Sequence, residues 1–260
     1  MGSCIALSDD CNDIIVGTRE GLVIVWNIEY QFLFVFDYRS DETGVFTNAH
    51  QPRLILPGLP SKVTQILASR DLDILIASTS ENLVYLFNLR DGRFVQMINI
   101  NDHVVNAKNV ESKTEKFNYR ITQILTTWTG YVVVAVSALQ PSLKHYLFCF
   151  DLNGNKLYMR DDVWRIHTMI CSSDSKWIFA ESVSNICIFT LPDLRLNTVL
   201  SSQTKKIHSL CVSADNRALF AGVENGEIFC YGLNLRWKEK EEEMPQRAGE
   251  DEIGNSEDLE

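Results

Sequence analysis

The sequence has no long hydrophobic run. Its longest apolar stretches, such as Tyr131–Val136, fall far short of the roughly 20 residues that a helix needs to cross a bilayer. Secretion signals are missing too: Gly2–Leu7 has no basic flank, and its apolar character ends at once. No Asn-x-Ser/Thr acceptor occurs, and none of the seven cysteines forms a Cys-x-x-Cys pair. Their number is odd and most lie in apolar runs, where a reduced cysteine packs as a small hydrophobe. These absences point to a reducing, cytoplasmic setting. A basic excess is absent as well, with 24 Lys and Arg against 34 Asp and Glu. Ten acidic and two basic residues fall in 239–260, which leaves 24 acidic against 22 basic over 1–238. A near-neutral body offers no basic face to neutralise phosphates, so nucleic acid is not an expected partner. The segment 239–260 has too little apolar content to repay its ordering entropy and reads as a disordered acidic tail. Met1-Gly2-Ser3-Cys4 supplies the glycine of an acylation signal, but Ala6 stands where Ser or Thr is expected.

What is present is ample core material and a repeat. Hydrophobic residues make up 45% of the chain, including 13 Phe, 8 Tyr and 5 Trp, enough to bury a sizeable core. One unit runs from Cys4-Ile-Ala-Leu through Asp13-Ile-Ile-Val-Gly17 to Leu22-Val-Ile-Val-Trp26-Asn27. Others end at Phe87-Asn88, Phe150-Asp151, Phe189-Thr190 and Tyr231-Gly232. Each reads as a short strand, a polar turn, a second strand, a tighter turn and a third strand. Fourth strands are expected at Gln31–Phe36 and Phe94–Ile100. A small residue precedes the aromatic by nine positions at Gly17, Ser78, Ala180 and Gly222. The last two aromatic-to-aromatic steps are 39 and 42 residues, the length of one propeller blade. The earlier steps, 61 and 63, carry a surplus that falls in 38–61 and 101–120, which read as loops.

A single twisted sheet cannot bury both its faces, whereas radial stacking buries each against a neighbour. The expected fold is therefore an all-β propeller of about five recognisable blades over 1–238. Five units leave closure open, because seven blades would need about 290 residues.

With its Ser-Asp-Asp turn and Trp26-Asn27 ending, the first unit resembles a degenerate WD40 repeat. The likeness covers roughly 3–236 and lacks the usual Gly-His before strand one; His167 and His208 lie inside strand one instead. The last unit, from Ile207-His-Ser-Leu-Cys to Leu235-Arg-Trp-Lys-Glu239, is similar to the closing repeat of BEACH-domain proteins of the neurobeachin type. That resemblance implies a scaffold in membrane trafficking, with peripheral membrane association only through partners.

Residues that could carry chemistry have simpler explanations. His167 and His208 recur by repetition rather than as metal ligands, so no metal is expected. Asp9-Asp10 and Asp161-Asp162 read as turn-capping carboxylates, and Asn153-Gly-Asn155 as a hairpin turn. Phe32, Phe34 and Phe36 follow strand alternation. No Gly-x-Ser-x-Gly elbow appears, and neither a catalytic residue nor a cofactor is expected. Recognition then falls to loops on a rigid frame. The expected partner-binding rim comprises Arg19, Glu20, Glu81 and Glu224 in blade turns, with Phe46 and Arg53 in the first insertion. The run Leu54–Leu59 is either a docking patch or an extra strand plugging an edge. Three functions compete: an interaction scaffold, a coat or tethering subunit whose propeller stacks against a partner, and an enzyme using the channel.

Overall fold

Five antiparallel sheets follow one another along the chain. The structure, a computed structural model, describes residues 2–28, 52–56, 58–108, 119–140, 144–182, 185–201 and 206–234, with 106–108 by backbone alone. The expected strand Gln31–Phe36, Phe46 and the tail 239–260 lie outside these residues.

Blade one consists of β1 (Gly2–Leu7), β2 (Asp13–Thr18), β3 (Val23–Asn27) and β4 (Leu54–Ile55). Blade two contains β5 (Val63–Ser69), β6 (Ile74–Thr79), β7 (Leu83–Asn88) and β8 (Phe94–Asn99). A helix, α1 (Ile100–Lys108), leads towards blade three, which contains β9 (Tyr119–Thr126), β10 (Tyr131–Ala138), β11 (His145–Asp151) and β12 (Lys156–Val163). Blade four is β13 (Ile166–Cys171), β14 (Trp177–Ser182), β15 (Asn185–Thr190) and β16 (Leu196–Ser201). Blade five has three strands among the described residues: β17 (Ile207–Val212), β18 (Ala218–Val223) and β19 (Ile228–Gly232).

The repeat holds at the level of register. Trp26, Phe87, Phe150, Phe189 and Tyr231 each pair with the second residue of their blade's second strand: Ile14, Leu75, Val132, Ile178 and Leu219. Phe87, Phe150 and Phe189 are buried, whereas Trp26 and Tyr231 are half-buried. Strand one is bulged at the same place in every blade, which makes Ser3, Thr64, Thr122, His167 and His208 the inserted residues. A bulge raises local twist and re-aims side chains. One expected equivalence shifts. Gly17, Ser78 and Gly222 sit opposite Cys4, Gln65 and Ser209, but in blade four that place belongs to Glu181, opposite Thr168, and not to Ala180. The β14–β15 connection is one residue shorter than its counterparts, so counting back nine positions overshoots.

Apolar residues on both faces of each inner blade form four clusters, one per blade–blade interface. Blade one meets blade two through Ile15, Val23 and Val25 against Ile66, Leu75 and Phe87. At Gly17 the approach is so close that a Cβ would lie 2.6 Å from Val63 Cγ1, which explains a small residue there. Polar side chains stitch the inner strands across blades. Ser3 Oγ donates to Val63 O at 2.6 Å, and Gln65 bridges to blade three by donating to Thr122 O and accepting from the Ile124 N–H.

The described residues of both insertions include regular elements. In the first, Leu54–Ile55 supplies the fourth strand of blade one, flanked by Arg53 N–H to Val25 O and Leu56 N–H to Val23 O. Leu56 and Leu59 are buried between blades one and two, so this run is a strand and plug. In the second, Ile100 and Val104 of α1 enter the core between blades two and three, and His103 meets the Phe150 ring edge-on at 5.0 Å. A helix forms here because apolar residues four apart share one face.

Candidate interaction surface

Strand one begins where strand two ends, as the pair Gly2 and Thr18 shows. The turns joining strands two and three and the links joining successive blades therefore share one rim. The first such turn is held by Thr18: its N–H donates to Leu22 O, and its Oγ1 accepts the Leu22 N–H. Gly21 has φ +86° and its carbonyl accepts the Leu59 N–H. A Cβ on Gly21 would lie 2.2 Å from Leu59 O, so only glycine fits. In blade two the same place is taken by Asn82 at φ +64°. Its side chain donates to Tyr119 O and Asn101 Oδ1 and accepts the Ile121 N–H, tying the turn to α1 and blade three. Asparagine tolerates this conformation because its amide bonds locally.

On these rigid turns Arg19, Glu20, Glu81 and Glu224 all stand exposed on the shared rim. The Glu20 carboxyl is held below its ordinary range, chiefly by its own backbone N–H. Exposed Leu139, in the corresponding turn of blade three, adds an apolar element. Phe46 lies outside the described residues.

Arg53 is on the opposite rim and is spent inside the chain. Its guanidinium pairs with Asp13 Oδ2 at 2.9 Å and donates to the carbonyls of Leu89 and Arg90. Asp13 is fully buried and also pairs with Arg70, which reaches it from blade two. The sequence expectation that Arg53 serves the partner-binding rim is corrected by this geometry. A buried carboxylate needs its charge balanced, and Arg53 is one of the two groups that balance it. Asp161 and Asp162 also depart from the turn reading. Both lie in β12, paired with Lys144 and Arg160 respectively. Asp10 does cap a turn. Burial works against its charge, but hydrogen bonds from Ser8 and Asn12 outweigh it and hold the carboxyl below its ordinary range. Asn153-Gly-Asn155 is part of the β11–β12 turn, with Gly154 at φ +79°.

Sequence reasoning missed a groove between the outer strands of blades three and four. Arg160, Trp164, Phe189, Leu196 and Val199 help line it. Trp164 stands exposed in the short link between β12 and β13, on the same rim as Arg19. Arg160 is fixed by Asp162 and by Leu194 O and lies 5.7 Å from the Phe189 ring centroid, a cation–π distance. The available signal was Trp164 itself, a large aromatic in the polar stretch Asp161-Asp-Val-Trp-Arg165.

No protein-family model matches the sequence. BEACH domain-containing protein B of Arabidopsis thaliana is 21% identical over 236 residues, covering 89% of this chain and 8% of that protein. The chain thus spans a small part of this relative. Among solved structures, that of the computationally designed Ika8 protein is similar, with a TM-score of 0.56 at 13% identity. The match covers 88% of this chain and 57% of that one and supports the propeller-like fold alone. No helix among the described residues is long and apolar enough to cross a membrane.

Proposed function

We propose that this chain is a non-catalytic scaffold of the WD40 type that binds other proteins through one rim, in the trafficking setting that its likeness to a BEACH-domain protein suggests. The observation that carries the reading is the groove beside Trp164. It joins an apolar floor, a pinned Arg160 and an exposed tryptophan, and tryptophan and arginine are the residues most enriched at interaction hot spots. The rim charges Arg19, Glu20, Glu81 and Glu224 would tune encounter and partner choice more than affinity. The polar groups of the first three inner strands favour the same reading over an enzyme, since Ser3, Gln65, Thr64 and Thr122 are engaged in hydrogen bonds that join strands or blades. Membrane association would then be peripheral and come through partners.

The test is affinity capture from cytosol with wild type and a Trp164→Ala, Arg19→Glu variant. Loss of specific partners from the variant, with its melting temperature unchanged, supports the reading. Equal recovery of the same partners by both proteins overturns the assignment to this rim. Turnover of a small molecule by the purified protein overturns the scaffold.

A further inference from the structure

The register fixes what each position of a blade faces. Val23, Val84, Leu147 and Ile186 each stand three residues before the aromatic of the third strand in blades one to four, and each is 0% exposed because the next blade covers it. Their counterpart in blade five, Ile228, is 72% exposed. Ile15, Ile76, Val133 and Phe179 are likewise fully covered, while their counterpart Phe220 is 39% exposed. The same contrast appears at the other end of the arc on the opposite sheet face. Ile66, Ile124 and Met169 are buried by the preceding blade, yet their counterpart Ile5 is 72% exposed, with Leu7 beside it at 55%. Among the described residues the arc is therefore open, and the strands of blade five do not close onto those of blade one.

The two open faces are the two halves of an interface that the chain already builds four times. Blade five presents the face that elsewhere packs on a following blade, and blade one the face that elsewhere receives a preceding one. Within their three inner strands neither face carries a charged side chain: Ile5, Leu7, Ile14, Val16, Ile24 and Trp26 on one, and Cys211, Phe220, Ile228 and Cys230 on the other. An apolar patch of this kind marks an interaction surface.

We propose that copies of this chain associate head to tail, with blade five of one copy packing on blade one of the next. Each face is complementary to the other and not to itself, so the contact is heterologous. It propagates into a ring or an open row instead of stopping at a two-fold dimer. This goes beyond the scaffold reading, because it needs neither the rim nor the groove.

The experiment measures the mass of the full chain by sedimentation velocity over a range of concentrations, for wild type, Ile5→Glu and Ile228→Glu. Both substitutions fall on exposed side chains, and thermal melts confirm folding. Wild type is expected to grow in mass with concentration, while each variant stays monomeric. An equimolar mixture of the two variants should form a 1:1 heterodimer and nothing larger, since one retains an intact blade five and the other an intact blade one. A monomeric wild type at every concentration overturns the proposal, whether another protein or residues 29–51 or 235–260 cover these faces. So does self-association of either variant alone, or a mixture that fails to pair while wild type associates.

Discussion

Asp13 is fully buried, with Arg53 and Arg70 both on its Oδ2 atom and Asn27 donating to Oδ1. Removing it strips Arg53 of its carboxylate and leaves it only the Leu89 and Arg90 carbonyls, while Arg70 keeps Asp10 at 3.4 Å. Asp13→Ala is expected to cost about 2–3 kcal/mol in urea unfolding, since both guanidinium groups are partly solvated, and Arg53→Ala less, because Arg70 still balances the charge. Burial pushes the Cys149 thiol up to about 12 and the Cys171 thiol up to about 11, so neither offers a thiolate near neutrality. In the native protein iodoacetamide should label exposed Cys11 and leave Cys149 unmodified, as read by peptide mass mapping. His103 and His145 are held below their ordinary value, first by burial, then by Lys156 for His103 and by Arg165 and His167 for His145. The Asp102 carboxylate opposes this only partly at His103, and at His145 protonation would also remove the acceptor of the Ala138 N–H. The unfolded chain takes up these protons more readily. Stability is therefore full above about pH 6.5 and falls as the pH drops below it. Thermal melts should show a lower Tm at about pH 5.5 than at about pH 7.5, and His103→Gln should narrow that gap.

Turns of the same kind differ in what surrounds them, and two glycines separate conformation from packing. Gly21 and Gly226 occupy equivalent places at φ +86° and +82°. A Cβ at Gly21 would strike the Leu59 carbonyl, whereas at Gly226 nothing lies within 4 Å. Gly226→Ala should thus cost only the conformational penalty, about 1 kcal/mol, while Gly21→Ala should cost at least about 2 kcal/mol more in urea melts. The added loss comes from displacing the 54–59 segment, which completes blade one. Helix α1 was the element the sequence hid, and strand β4 was one of two readings it left open for Leu54–Leu59. Each interrupts a repeat of period two with a short apolar motif that only acquires meaning where the neighbouring blade supplies a partner. Leu54 and Ile55 alone cannot announce a strand; their pairing with Val25 and Ile24 does.

Across the whole molecule, stability rests on four stacked interfaces joined in series. In such an array each unit contacts only its neighbours. Substitutions in a central interface should therefore unfold more of the chain than those at the ends. Phe148→Ala, in the cluster between blades two and three, is expected to cost about 3–5 kcal/mol. Phe220→Ala, half open to solvent in blade five, should cost clearly less when both are compared by urea unfolding at low protein concentration.

The five-unit arrangement and the equivalence of Trp26, Phe87, Phe150, Phe189 and Tyr231 were legible in the sequence, because strand alternation and turn chemistry act over a few residues and recur. The exposure of Arg19, Glu20, Glu81 and Glu224 was legible for the same reason. The partial exposure of Trp26 and Tyr231 was not. Among the described residues no blade packs on the outer side of Trp26, and Tyr231 lacks the fourth strand that the other blades have. Only the tertiary structure could move Arg53 from the partner-binding rim to an ion pair on the opposite one, since its partners Asp13 and Leu89 lie 40 and 36 positions away. It alone could also show the arc to be open among the described residues. A repeat states what each blade face is made to touch, but whether anything touches it depends on the blades at the ends.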